Sequence, residues 1–154
     1  MIDLAAHLTN MRAAAPLVQN IANFVSMNVM ANAMLAAGAS PAMVHSHAEA
    51  ADFAAIAQGL SVNIGTLSPD WVDGMIAAAT VMKAESKPWV LDPVAAGATP
   101  YRAQTCARLA ALSPTIIRGN ASEIMAMAGA GGGSKGADAG DPVAAAEDAA
   151  RALA

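Results

Sequence analysis

Five short runs rich in apolar and β-branched residues, at 16–21, 41–45, 60–64, 89–92 and 115–118, are separated by longer stretches with helical spacing. Parallel strands need a crossover of a dozen residues or more, usually a helix, and most of the intervening stretches supply one. Helices are expected over 26–37, 48–58, 69–84, 101–112 and 121–128, and again from Pro142 to Ala154. The alternation predicts repeated βαβ units, hence an α/β fold with a mostly parallel sheet flanked by helices on both faces. Ser68-Pro69-Asp70 combines a capping hydroxyl, a proline suited to the first helical position and an acid that complements the helix dipole. Gly38 and Gly59 fall where helices should stop. Residues 129–140 read as a glycine-rich loop or linker within the domain. The last helix has no following strand to cover, so the sheet is expected to be incomplete at its C-terminal side.

Length and charge narrow the classes of function. A chain of 154 residues fits one domain with one core. The net charge of -4, with eight lysines and arginines scattered along the chain, gives no basic footprint for nucleic acid or an anionic membrane surface. A small-molecule partner is therefore expected. Cys106 is the single cysteine, which excludes an intrachain disulfide and a zinc site of several thiolates and points to a reducing cytoplasm. No stretch approaches the ~18 uninterrupted apolar residues of a membrane span.

The chemistry-bearing residues collect at the strand ends. Asp92 closes the run Trp89-Val90-Leu91, and Pro93 ends the ladder behind it. A carboxylate there can hold Mg²⁺ through water or orient a hydroxyl, and the same dipeptide also starts ordinary turns. Arg118, Asn120 and Glu123 sit at the next strand-to-helix junction. Arginine binds phosphate at two points and a carboxylate suits hydrated magnesium, whereas Asn120 and Glu123 are equally readable as a helix cap and a dipole partner. Gly65-Thr66 and Asn20, Asn23, Ser26 and Asn28 mark two further strand ends, readable as ligand contacts or as turn and cap residues. His45 and His47 have the spacing of one strand face but lack a third ligand. Met27, Met30 and Met34 recur at helical spacing and are expected in the core, while Met43 near a strand end suits an apolar pocket. The run Gly131-Gly132-Gly133-Ser134-Lys135-Gly136 departs from the phosphate-loop pattern, since glycine follows the lysine.

Six segments together resemble the hydroxyethylthiazole kinase family, thiamine-salvage enzymes of the ribokinase-like superfamily. They are Asn23-Phe24-Val25-Ser26-Met27-Asn28, Gly38-Ala39-Ser40-Pro41-Ala42-Met43, Asn63-Ile64-Gly65-Thr66-Leu67, Leu91-Asp92-Pro93-Val94, Gly97-Ala98-Thr99-Pro100-Tyr101-Arg102 and Ile117-Arg118-Gly119-Asn120-Ala121-Ser122-Glu123. The resemblance implies a ribokinase-like fold and transfer of the γ-phosphoryl of ATP, with Mg²⁺, to the primary alcohol of 4-methyl-5-(2-hydroxyethyl)thiazole. It further implies that Met43, Asn23 and Gly65 line the thiazole pocket, that Arg118 and Asn120 serve ATP, and that Asp92 and Glu123 surround the metal. A homotrimer with the pocket at a subunit interface is implied as well.

The chain departs from the family in two respects. Gln19-Asn20-Ile21-Ala22 stands where the family more often has a His-Cys-Ile-Thr type run. The later part of family members supplies a Thr or Ser on the nucleotide and a glycine-rich anion hole with a catalytic Cys or Asp, none of which lies in these residues. Residues 1–154 thus resemble the N-terminal portion of one such kinase domain, with no catalytic residue assigned and slow turnover expected. Two alternatives share the fold: a non-catalytic binding or assembly module, and a kinase for another small alcohol.

Overall fold

A computed structural model of the chain describes residues 3–129 and 143–154. Its elements run α1 (Leu4–Ala14), β1 (Leu17–Ile21), α2 (Met27–Ala37), β2 (Ser40–Ala42), α3 (Ala50–Ile56), β3 (Gly59–Asn63), α4 (Pro69–Ala84), β4 (Trp89–Asp92), α5 (Pro100–Ala110), β5 (Ile116–Ile117), α6 (Ala121–Met127) and α7 (Val143–Leu153). The glycine-rich loop expected at 129–140 falls, apart from Gly129, outside the described residues, as does the run 131–136.

The five strands form one sheet in the order β2-β1-β3-β4-β5, and every pairing is parallel. Ile21, Leu60, Val62, Trp89 and Leu91 are fully or almost fully buried and line one face. Ala50 and Ala54 of α3, Trp71, Met75, Ala78 and Met82 of α4, and Cys106 and Leu109 of α5 complete that core. Alternation along the strands turns Asn20, Ser61, Asn63 and Asp92 to the opposite face, because Asn20 pairs with Ser61 and Asn63 with Asp92. The chain moves one way across the sheet from β1 to β2 and the other way from β2 through β5. Right-handed crossovers therefore put α2 on the face opposite α3, α4 and α5.

The capping signal at Ser68 acts as written, and α5 begins with a second cap of the same kind. Ser68 Oγ accepts from Trp71 N ahead of α4, with Pro69 in its first turn, and Thr99 Oγ1 accepts from Arg102 N ahead of α5. Gly38 ends α2 at φ +107°, with its N–H on the carbonyls of Met34 and Leu35. Only glycine takes that conformation at no steric cost. Gly59 instead opens β3, since α3 has already ended at Ile56.

Three expectations change. The second strand ends at Ala42 instead of running to residue 45, because β2 is an edge strand whose register with β1 stops at Gln19. Beyond that point the Gln19 side-chain amide takes the carbonyls of Val44 and Ala50 and draws the chain off toward α3. His45 and His47 are consequently not on a strand. The methionines of α2 are half-buried, and α2 has no buried residue, although Met27 packs against the core. Helix α1, not anticipated in the sequence reading, is capped by Asp3 and reaches the end of α2 through Arg12 Nε on the Ala37 carbonyl.

Candidate active site

The reversal of direction at β1 makes a switch point between β1 and β3, where parallel sheets bind ligands outside their carboxyl ends. Asn23 follows β1 and Gly65 follows β3. Asn23 Nδ2 donates to Asn63 Oδ1 at 2.7 Å, and Gly65 N donates to the same oxygen at 2.9 Å. Asn23 Oδ1 in turn accepts from the Val25 and Ser26 amides, which fixes the turn into α2. An added Cβ at Gly65 would lie 2.8 Å from Asn23 Nδ2 and 2.9 Å from Asn63 Oδ1, too close for any other residue without displacing that pair.

Asn63 carries the network on to the acidic corner. Its Nδ2 donates at 2.8 Å to Asp92 Oδ2, which also accepts from the Arg118 guanidinium. Asp92 is 9% exposed, while the Arg118 side chain is 74% exposed. The bond and charge of Asp92 hold Arg118 above its ordinary pKa, so the guanidinium is permanently charged. Asp92 Oδ1 has no hydrogen-bond partner among the described residues.

Glu123 is 6% exposed and lies one loop away. Asn120 and Glu123 form a capping box at the start of α6: Asn120 Oδ1 accepts from Glu123 N and Glu123 Oε2 accepts from Asn120 N. Glu123 Oε1 accepts from Ala95 N at 3.0 Å, which ties α6 to the loop after β4. Ala95 is held at φ +53°, a conformation uncommon for a residue with a Cβ. Each Glu123 oxygen therefore has one backbone donor and keeps a lone pair.

Arg102, in the first turn of α5, was quoted in the sequence only as part of a motif. Its Nη1 donates to the carbonyls of Ile64 and Val94, both at 2.8 Å, and its Nη2 to that of Gly65 at 2.9 Å. The guanidinium thus bridges the loops after β3 and β4. One turn further along α5, burial pushes the Cys106 thiol up to about 12, with the Glu123 charge adding to the effect and Arg102 opposing it.

Of the residues singled out in the sequence, Asn23, Gly65, Asp92 and Arg118 join one network, and Asn120 and Glu123 join each other and the Ala95 loop. Met43 follows directly after β2, half-buried, outside both networks. Two groups were missed as site residues. Asn63 and Arg102 are the bridges between strand ends, and Phe24, Trp71 and His45 make an aromatic stack, with Trp71 at 4.6 Å from the Phe24 ring centre and 4.4 Å from that of His45. A polar residue closing a strand was the available signal for Asn63. A cleft beside β5 and α7, lined by Ser113, Thr115, Ile117, Ile124 and Leu153, has no ionisable side chain among its described lining residues and holds no member of these networks.

A five-stranded parallel sheet in this order, with amides, a carboxylate and an arginine gathered at its carboxyl ends, defines a doubly wound α/β protein; the structural match that follows makes the fold ribokinase-like. A solved structure of a hydroxyethylthiazole kinase protein from Pyrococcus horikoshii OT3 is similar at a TM-score of 0.78 and 41% identity, over 80% of this chain and 49% of that one. The chain belongs to the hydroxyethylthiazole kinase family, whose model matches residues 8–154. It is 64% identical to a hydroxyethylthiazole kinase of Cereibacter sphaeroides over 97% of its own length, and 60% identical to one of Rhizobium leguminosarum, again over 97%. It spans 57% and 56% of those two relatives. No helix among the described residues is long and apolar enough to cross a membrane.

Proposed function

We propose that the chain is the N-terminal portion of a single ribokinase-like kinase domain, and that it serves the ATP- and Mg²⁺-dependent phosphorylation of 4-methyl-5-(2-hydroxyethyl)thiazole in thiamine salvage. The observation that carries this reading is the continuous network from Arg118 through Asp92 and Asn63 to Asn23 and Gly65. It links a phosphate-type corner to an uncharged cluster of amides at the switch point, an arrangement that suits transfer from a nucleotide to an alcohol. Such transfer rests on positioning and electrostatics more than on covalent chemistry.

Asn23, Gly65 and Met43 line the thiazole side. Arg118 spends one N–H on Asp92 and, being largely exposed, presents its other donors to phosphate oxygens of ATP, with Asn120 beside it. Asp92 and Glu123 are the metal-side carboxylates. The donor set fits magnesium: Asp92 Oδ1 is unengaged among the described residues, and Mg²⁺ favours one or two carboxylates completed by water and phosphate over an all-protein cage. Bound there, the ion would neutralise charge on the transferred group. No catalytic residue is assigned among these 154 positions.

The same reading takes a homotrimer as the working assembly. Phe24 and Val25, 70% and 87% exposed, adjoin Asn23, and exposed Val29 follows on α2, so that a second copy would cover an apolar patch at the pocket edge. The cytoplasm is the proposed location, in keeping with a single, buried, reduced cysteine. Calorimetric titration of the chain with the thiazole alcohol, followed by a coupled ADP-release assay, tests the function. Saturable binding with slow Mg²⁺-dependent turnover is expected; a folded chain that shows no saturable heat overturns the reading.

A further inference from the structure

Among the described residues the Arg102 guanidinium donates only to carbonyls: Ile64, Gly65 and Val94. A trans peptide is planar, with its C=O and the following N–H pointing in opposite directions, so fixing a carbonyl fixes the amide behind it. Behind Ile64 O lies Gly65 N, which donates to Asn63 Oδ1, the atom that also holds Asn23. Behind Val94 O lies Ala95 N, which donates to Glu123 Oε1 from a left-handed backbone. Behind Gly65 O lies the Thr66 N–H, which has no acceptor among the described residues. One planar cation therefore orients three peptide groups, and two of them hold side chains of the candidate site, Asn63 and Glu123, from their far sides. A lysine carries the charge but lacks the fork that reaches three carbonyls in fixed geometry. Arg102 also has no carboxylate partner among the described ion pairs, which fits a residue kept for geometry at backbone oxygens.

We infer that Arg102 is a positioning residue, which aligns Gly65 and the Thr66 N–H for the alcohol substrate and Glu123 for the metal through the peptide planes it holds. This rests on the kinase reading above for its functional consequence, but its structural part stands apart from that reading. The test uses the 154-residue chain and its Arg102→Lys and Arg102→Met variants, each well below its own unfolding midpoint, with Thr99→Ala as a control that weakens the same helix start and leaves the fork intact. Amide hydrogen exchange at Gly65 and Ala95 should quicken by about tenfold or more in both Arg102 variants, with Leu91 in the neighbouring strand unchanged. Binding of the thiazole alcohol should weaken by about tenfold, the scale of one lost charge-assisted hydrogen bond. Unchanged exchange in the Arg102 variants, an equal change in Thr99→Ala, or full binding by Arg102→Lys would each overturn the inference. If the unsubstituted chain binds no thiazole alcohol, the kinase reading falls, and with it the substrate-directed part of this role; the exchange measurement still decides whether Arg102 orients the loops.

Discussion

Asn63 offers the sharpest test of the network, because replacing it with aspartate changes one donor into an acceptor at almost constant shape. Its Oδ1 partners, Asn23 Nδ2 and Gly65 N, are kept. Its Nδ2 bond to Asp92 Oδ2, at 2.8 Å, becomes a contact between two carboxylates. The lost bond to a charged group costs about 1.5–3 kcal/mol. Repulsion at that separation adds about 1.5 kcal/mol in a water-like dielectric and about 6 kcal/mol at an effective dielectric of 20, before any relief. Arg118 on the same Asp92 oxygen offsets part of this, and retention of one proton by the pair relieves more. A deficit of about 3 kcal/mol at pH 8 is expected for Asn63→Asp, a large share of the ~5–15 kcal/mol that stabilises a typical domain. The folded variant keeps a proton that the unfolded chain releases near pH 4, so the deficit is smallest at about pH 4 and grows as pH rises through the raised value of the pair. Urea unfolding of the variant and the unsubstituted chain at pH 4.5 and pH 8 measures this directly. A deficit that is the same at both pH values, or larger at the lower one, would refute the proposed contact between Asn63 and Asp92.

Three further outcomes follow from other contacts. Gly74→Ala should destabilise the chain by up to about 2 kcal/mol in denaturant unfolding: alanine gains about 1 kcal/mol of helix propensity, but its Cβ would strike the His45 carbonyl oxygen, and overpacking of that kind costs about 1–3 kcal/mol. A more stable variant would show that α4 does not lie against the 45–47 backbone. Asn120→Ala should cost about 1 kcal/mol by removing the cap of α6, and should raise exchange at the Glu123 amide; an unchanged amide argues against the capping box. Cys106, whose thiol is raised from 9.0 to about 12 by burial, should resist alkylation at pH 8 until the chain unfolds. Between those two values the unfolded chain loses a proton that the folded one keeps, so this group should make stability fall as pH rises, and rapid labelling of the native protein would contradict its burial.

The sequence by itself determined the elements and much of their chemistry. Local signals were sufficient for this: β4 lies at the residues its apolar run marks, Pro69 opens α4 behind its capping hydroxyl, and Gly38 stops α2 because its backbone must turn left-handed. Asp92, Arg118 and Glu123 stood out because two carboxylates and a cation fall at successive strand-to-helix junctions, although turn and cap readings were open for the carboxylates. What depends on neighbours distant in the chain was decided by tertiary structure alone. The length of β2 follows from a Gln19 side chain that captures Val44 and Ala50, 25 and 31 residues on. Arg102 reads as one more helical arginine until the sheet brings the ends of β3 and β4 beneath it, 38 and 8 residues away along the chain. Asn63 likewise acquires its place only because strand order puts β3 between β1 and β4, so that one amide meets Asn23 on one side and Asp92 on the other. Periodicity records which face a residue occupies, whereas hydrogen-bond partners across a sheet are set by strand order, and strand order is a property of the packed chain.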